Sequence, residues 1–305
     1  MSTLRAEVLG ADGFIGRHLT AALCATGTRV IAYTRSHQPY RPDSPDIVFY
    51  LASSITPALA EQHPEWVRED HRRFATLLGH LGSQANPPTV VLTSSAGTVY
   101  DPDAPGPWDE EAPTRATNRY GAAKLELERL LLDHADTVPG VVLRLSNVYG
   151  PGQRVDKSQG VLAYWLRAAA ADRPVPVIGD PQARRDYVYV HDVVDCLLRV
   201  AAWSPTLAAS PPQVVNVASG CSTSLADLLS IVELVVGRDL AVELLPGRAV
   251  DRRDTSLDVR RATRWLGWHP RTSLVEGITE MWQSLRPETE RASTAAGARG
   301  SRLYV

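Results

Sequence analysis

Apolar residues arrive along this chain in two alternating rhythms. Short, nearly unbroken runs at residues 5–10, 29–33, 46–51, 89–93 and 141–145 read as strands buried on both faces. Between them lie the stretches 14–26, 64–81 and 120–134, where apolar positions recur every three or four residues, the spacing of an amphipathic helix. Gly27 stops the first helix, and Pro139-Gly140 marks the turn into the fifth strand. Strand, helix and strand within roughly 30 residues make the parallel βαβ unit. Its repetition predicts an α/β fold with a doubly wound parallel sheet covered by helices on both faces.

Beyond Gly150 the rhythm loosens into helices at 160–171, 192–203 and 224–236 and short strands at 174–178 and 214–217. The expected organisation is a sheet domain over residues 1–155, with parts of 186–218 returning to it. A smaller α+β lobe would occupy mainly 156–286, and 287–305, rich in Ala, Gly, Ser, Thr and Arg, would form a mobile tail. The 305 residues are 44% hydrophobic and 22% charged, enough to bury a sizeable core. A net charge of −2 provides no basic field for nucleic acid or an anionic membrane, so neither is expected as a partner. Cys24, Cys196 and Cys221 are scattered without ligand spacing, which argues against a disulfide scaffold and against a metal module. No apolar run reaches the ~20 residues of a membrane helix, and no signal-like stretch opens the chain. The expected location is the cytoplasm.

Candidate chemistry begins at the first strand-to-helix turn, Gly10-Ala-Asp-Gly13-Phe-Ile-Gly16. Gly10 permits a sharp turn, Gly13 lets backbone approach a pyrophosphate, and Gly16 lets the helix close on the strand. The helix N-terminus adds amide donors and partial positive charge. The setting is that of a dinucleotide site, with Gly10, Asp12, Gly13, Phe14, Ile15 and Gly16 as its cofactor-binding residues. The second strand then runs into Thr34-Arg35, and the nearest acid is Asp43. An acid at that strand end accepts from the ribose hydroxyls of NAD, whereas Arg pairs with the extra phosphate of NADP. Thr34 and Arg35 therefore point to NADP(H) as preferred cofactor, with NAD(H) as the alternative.

Only Lys124 and Lys157 are lysines, and Lys124 stands four residues after Tyr120 on one helical face. A phenol titrates near ~10 and becomes useful near neutrality only beside positive charge. A phenol and an ammonium at this spacing also occur as an ordinary surface pair. The hydroxyls of Thr93-Ser-Ser-Ala-Gly-Thr-Val-Tyr100, at the end of a parallel strand, supply the context that favours chemistry.

The glycine loop, this strand end, Tyr120-x3-Lys124, Leu145-Ser-Asn-Val-Tyr-Gly-Pro151 and Arg185-Asp-Tyr-Val-Tyr-Val-His-Asp192 occur in one order over about residues 4–285. In that order they resemble the extended short-chain dehydrogenase/reductases that act on nucleotide sugars. The resemblance implies a Rossmann-type doubly wound sheet with a smaller α+β substrate-binding lobe. It also implies Tyr120 as general acid/base, Lys124 on the nicotinamide ribose and Ser95 as the third catalytic residue, with Ser94 and Thr98 as alternatives. Leu51 and Ala52 join the implied cofactor site. Ser95, Asn147, Arg185, Arg248 and Asp251 form the implied nucleotide-sugar site, and a homodimer is the implied assembly. Two departures stand out: Asp101 follows the Val99-Tyr100 pair where the family usually has glycine, and the Ser95-to-Val99 interval is one residue longer than in many members.

The expected activity is NADPH-dependent reduction of a nucleoside-diphosphate 4-keto-6-deoxyhexose. The alternatives are an NAD-dependent nucleotide-sugar 4-epimerase and a dinucleotide-binding sensor without catalysis.

Overall fold

The computed structural model describes residues 3–34, 40, 43–154, 160–207, 213–247 and 255–285. The expected strands and helices of the first half form β1 (Arg5–Leu9), α1 (Phe14–Ala25), β2 (Arg29–Tyr33) and β3 (Ile47–Tyr50). They continue as α2 (Pro57–Gln62), α3 (Pro64–Gly82), β4 (Thr89–Ser95), α4 (Ala96–Val99), α5 (Arg119–Asp133) and β5 (Gly140–Leu145). The second half adds β6 (Asn147–Tyr149), α6 (Val161–Ala170), β7 (Val175–Ile178), β8 (Arg184–Tyr189) and α7 (Val190–Leu207). It ends with β9 (Gln213–Val217), β10 (Ser222–Ser224), α8 (Leu225–Val236), β11 (Val242–Leu245), α9 (Arg260–Leu266) and α10 (Leu274–Leu285).

Six strands pair in the order β2-β1-β3-β4-β5-β9, and every pair is parallel. The chain turns one way from β1 to β2 and the other way from β3 onward, so the switch point lies at β1 and β3. That is where an open sheet leaves a crevice beyond its strand ends. One face is covered by α1 and α7, which bury Leu19, Leu23, Val193 and Leu197 against Val8 and Val215. The other is covered by α3 and α5, with Phe74, Leu78, Leu127 and Leu131 on Val48, Val90 and Val142. The central strands β3 and β5 are buried at every position, as their unbroken apolar runs require.

A second core gathers α6, α8 and α10 around Trp165, Leu166, Val232 and Ile278. Two small sheets accompany it: β10-β8-β6 and β11-β7. The tryptophans serve packing here: Trp268 is fully buried with its indole N–H on the Asp192 carbonyl at 2.9 Å, and Trp265 and Trp282 lie against the two cores. No helix among the described residues is long and apolar enough to cross a membrane.

Two local constraints set the shape of the cleft. The crossover 34–46 between β2 and β3 shows no helix among its described residues. It is pinned instead by Glu7, a polar residue in the middle of β1 that is fully buried. The Tyr40 hydroxyl donates to its carboxylate, and the Asp43 amide donates at 2.8 Å. Burial raises the Glu7 pKa against the pull of these two donors. The second constraint is Gly121 in the first turn of α5, where a Cβ would lie 2.3 Å from the Thr98 carbonyl oxygen. Glycine alone lets α5 sit this close to α4.

Both constraints are measurable. Because Glu7 binds its proton more tightly in the fold than in the unfolded chain, its ionisation costs stability as pH rises through the folded pKa. Glu7→Gln can still accept from Asp43 and donate to the Tyr40 oxygen. It should melt above the parent at pH 8, with the difference vanishing as pH falls below the ordinary carboxyl value of 4.5. Gly121→Ala, which raises intrinsic helix propensity, should nonetheless lower unfolding free energy by about 1–3 kcal/mol through overpacking. Urea titration checks it; a stabilised variant would mean that α5 does not press on α4.

Candidate active site

Along the carboxyl ends of the sheet strands runs a cleft of about 1260 Å³. Its floor is the glycine loop. Gly10 has φ +88°, and a Cβ there would sit 2.9 Å from the Ala52 amide nitrogen. A Cβ on Gly16 would lie 2.1 Å from the Gly10 carbonyl oxygen. The amides of Gly10 and Ala11 both donate to the Tyr33 carbonyl, at 2.9 and 3.1 Å, which binds the end of β1 to the end of β2. Backbone thus converges where side chains have no room, and the N-terminus of α1 opens into the cleft. This is the cradle a pyrophosphate needs. Gly10, Asp12, Gly13, Phe14, Ile15 and Gly16 all line it, as do Thr34, Leu51 and Ala52 farther along the strand ends. Arg35, the other residue expected to read the cofactor, lies outside the described residues.

The middle of the cleft holds the phenol and the ammonium. Asn118 caps α5 by accepting the Gly121 amide at 2.8 Å, which starts the helix one residue before Tyr120. Tyr120 is half-buried, and Lys124 is buried with Nζ 5.6 Å from the Tyr120 ring centroid. That ammonium donates to the Thr93 carbonyl at 3.3 Å. The strand-end hydroxyls divide. Ser94 is buried and donates to Glu128, while Ser95 and Thr98 are half-buried on the cleft wall. Thr98 Oγ1 also donates to the Ser95 carbonyl at 3.2 Å.

The far wall comes from the three-stranded sheet. Asn147 at the start of β6 pairs in register with Tyr187 of β8, and its amide donates to the Asp186 carbonyl at 2.8 Å. Arg185 lies next to Asp186 and lines the same cleft. Asp186 is fully buried and accepts the amides of Ser219 and Gly220 at 2.8 and 2.9 Å. Burial raises its pKa, and these amide bonds oppose the rise. Its role is to seat β8, and with it the guanidinium of Arg185. Arg248 and Asp251, expected to complete this wall, lie outside the described residues.

The cleft also takes in residues that the motifs do not mark. Thr255, buried, and Gln153 and Arg154, which follow the Gly150-Pro151-Gly152 turn, add to the substrate side. Arg73, Thr76 and His80 of α3 line the cofactor end. No sequence motif marks that last group; only the packing of α3 beside the crevice brings it there. His191 sits at the expected strand-to-helix junction, but it is exposed, and its Nε2 meets His18 Nδ1 at 3.2 Å.

Known proteins match this arrangement over nearly the whole chain. A UDP-glucose 4-epimerase of Mycolicibacterium smegmatis is 30% identical across 94% of this chain and 100% of its own. A dTDP-6-deoxy-L-talose 4-dehydrogenase (NAD(P)(+)) of Kitasatospora kifunensis is 31% identical across 93% of this chain and 96% of its own. The solved structure of MoeE5 in complex with UDP-glucuronic acid and NAD superposes with a TM-score of 0.82 at 29% identity, covering 94% of this chain and 99% of that one. The model of the NAD dependent epimerase/dehydratase family matches residues 6–218, the stretch that carries the glycine loop, Tyr120, Lys124, Asn147 and Arg185. The chain belongs to that family, the extended short-chain dehydrogenase/reductases of nucleotide sugars that its motifs resemble.

Proposed function

We propose that this protein reduces a nucleoside-diphosphate 4-keto-6-deoxyhexose with NADPH. The observation that carries the reading is the cofactor end of the cleft. Asp43, the first acid after β2, does not turn toward it. Its amide is on Glu7, and its carboxylate faces Arg29, at the opposite end of β2, at 3.4 Å. The carboxylates of α3 that line the cleft are engaged elsewhere: Glu69 with Arg72 and Arg73, and Asp70 with the Ser54 amide at 2.7 Å. The ribose hydroxyls of NAD would thus meet no strand-end acid among the described residues. Thr34 and Arg35 are the residues that would take a 2′-phosphate.

The glycine cradle would hold a nicotinamide cofactor, which would supply the hydride. The protein's own groups do the rest. Lys124, anchored on Thr93, holds its ammonium beside the Tyr120 ring, facing the charge left when the phenol gives up its proton. Tyr120 gives its phenolic proton to the ketone oxygen as that oxygen gains negative charge. Ser95 orients the same oxygen. It takes this role over Ser94, whose hydroxyl is already donated to Glu128. Arg185 pairs with the diphosphate, and Asn147 lies on the same wall.

The 4-epimerase reading, in which the same phenol and ammonium would work with a cofactor that is never exchanged, retains support from the relative in Mycolicibacterium smegmatis. Incubation with a nucleotide-activated 4-keto-6-deoxyhexose separates the two. NADPH should be oxidised one for one with product, faster than NADH, and Thr34→Asp with Arg35→Ala should reverse that preference. Purification with tightly held NAD, together with interconversion of UDP-glucose and UDP-galactose, would establish the epimerase instead.

Tyr120→Phe should lower turnover by ~10²–10⁴-fold while cofactor affinity holds; retention of a tenth of the activity removes the phenol from its role. Arg185→Ala should weaken nucleotide-sugar binding by about 2–5 kcal/mol in a calorimetric titration and leave NADPH binding intact. The reverse pattern would put the diphosphate on the wrong wall.

A further inference from the structure

Behind the cleft lies a charge pair that the proposed chemistry does not touch. Glu128 stands one turn past Lys124 and two past Tyr120, so the three side chains share a face of α5. Its side chain is 3% exposed and that of Arg144 on β5 is 7%. Arg144 grips the carboxylate with Nη2 at 2.7 Å and with Nε 3.2 Å from both oxygens. Ser94 Oγ donates to the same carboxylate, and Ser94 and Arg144 are registered neighbours across β4 and β5. One turn earlier, Lys124 donates to the carbonyl of Thr93. Successive turns of α5 are thereby fastened to successive residues of β4, and the next residue of that strand is Ser95.

The contacts continue across the sheet to β9. The Arg144 guanidinium lies 4.8 Å from the centroid of the Tyr100 ring, and the Tyr100 hydroxyl donates to Asn216 Oδ1 at 2.7 Å. Asn216 in turn donates to the carbonyls of Trp108 and Asp258 at 3.0 and 3.1 Å.

Burying two charges costs several kcal/mol for each ion, and apolar side chains of equal size usually hold elements together as well or better. Adhesion is therefore a poor reason for this pair. Direction is a better one. Apolar packing lets a helix slide by fractions of an ångström, whereas a forked guanidinium and a hydroxyl on one carboxylate fix both its rotation and its axial position.

We propose that Glu128 is a positioning residue. Through Arg144 and Ser94 it sets where α5 stands along β4, and so sets the separation between the Tyr120 phenol and the Ser95 hydroxyl. This rests on the reading of Tyr120 as proton donor.

Glu128→Asp keeps the charge but withdraws the carboxylate by one methylene, so that it cannot reach both partners. Because a lone change at Glu128 can strand Arg144 and unfold the chain, the second variant is the neutral pair Glu128→Gln with Arg144→Gln. Each should lose about 10²-fold in kcat, the cost of roughly 1 Å of misplacement, with KM and NADPH affinity within about threefold of the parent. Hydrogen exchange, measured without substrate, should quicken at least about tenfold at amides 94–98 and 119–124 and stay at parental rates in β1 and β3.

Full kcat in the neutral pair overturns the proposal. So does a uniform loss of protection and of cofactor affinity, which would mark a residue that merely holds the fold. If the parent enzyme converts no 4-keto sugar, the functional reading fails on its own, and the exchange pattern still decides whether the stitch aligns these two segments.

Discussion

Everything in this molecule is arranged around a place where three stretches of backbone come closer than any side chain would permit. The end of β1, the first turn of α1 and the loop after β3 meet at Gly10, Gly16 and Ala52. A single methyl group on either glycine would force them apart. From that contact follow the aim of α1, whose free amides face the cleft, and the close seat of the loop that carries Leu51 and Ala52. The switch in strand order opens the crevice, and the glycines make its floor deep enough to receive a diphosphate.

The side chains proposed for catalysis reach the crevice by a different device. Tyr120 and Lys124 come from a helix and Ser95 from a strand end, and these elements belong to one rigid face of the sheet. Asn147 and Arg185 come from a separate three-stranded sheet whose register is held by Asp186. The protein therefore brings two independently built surfaces against each other. One carries the groups proposed to transfer the proton, and the other carries the groups that would hold the substrate's charge. A run of polar contacts from Glu128 through Arg144 and Tyr100 to Asn216 ties the first of these surfaces together across α5, β5 and β9.

How much of this could be read from sequence depends on how far apart the partners lie. The glycine loop and Tyr120-x3-Lys124 are local patterns, and their spacing alone assigns them to a strand-to-helix turn and a helix face. The main strands were equally legible, because burial on both faces writes an unbroken apolar run. The small sheet was not. β10 has only three residues, and the stretch that forms β8 reads first as a charged motif. Glu128 lies one turn past Lys124, but nothing in the sequence singles it out, because its partners Arg144 and Ser94 lie 16 and 34 positions away, beyond any periodicity. The buried Glu7 was hidden for another reason: only the folded crossover shows what covers it.

That crossover has a further consequence. With no strand beyond it among the described residues, β2 is the rim of the sheet, and one row of its peptide groups lacks a strand to pair with. A bare rim invites a foreign strand to add itself, which leads toward aggregates rather than enzymes. Here the rim is five residues long and begins with the exposed Arg29, two features that discourage such additions. The same rim is also the direction in which the fold can grow. An extra helix and strand inserted within 34–46 would lengthen the sheet outward and leave the face that carries Ser95, Tyr120 and Lys124 in place.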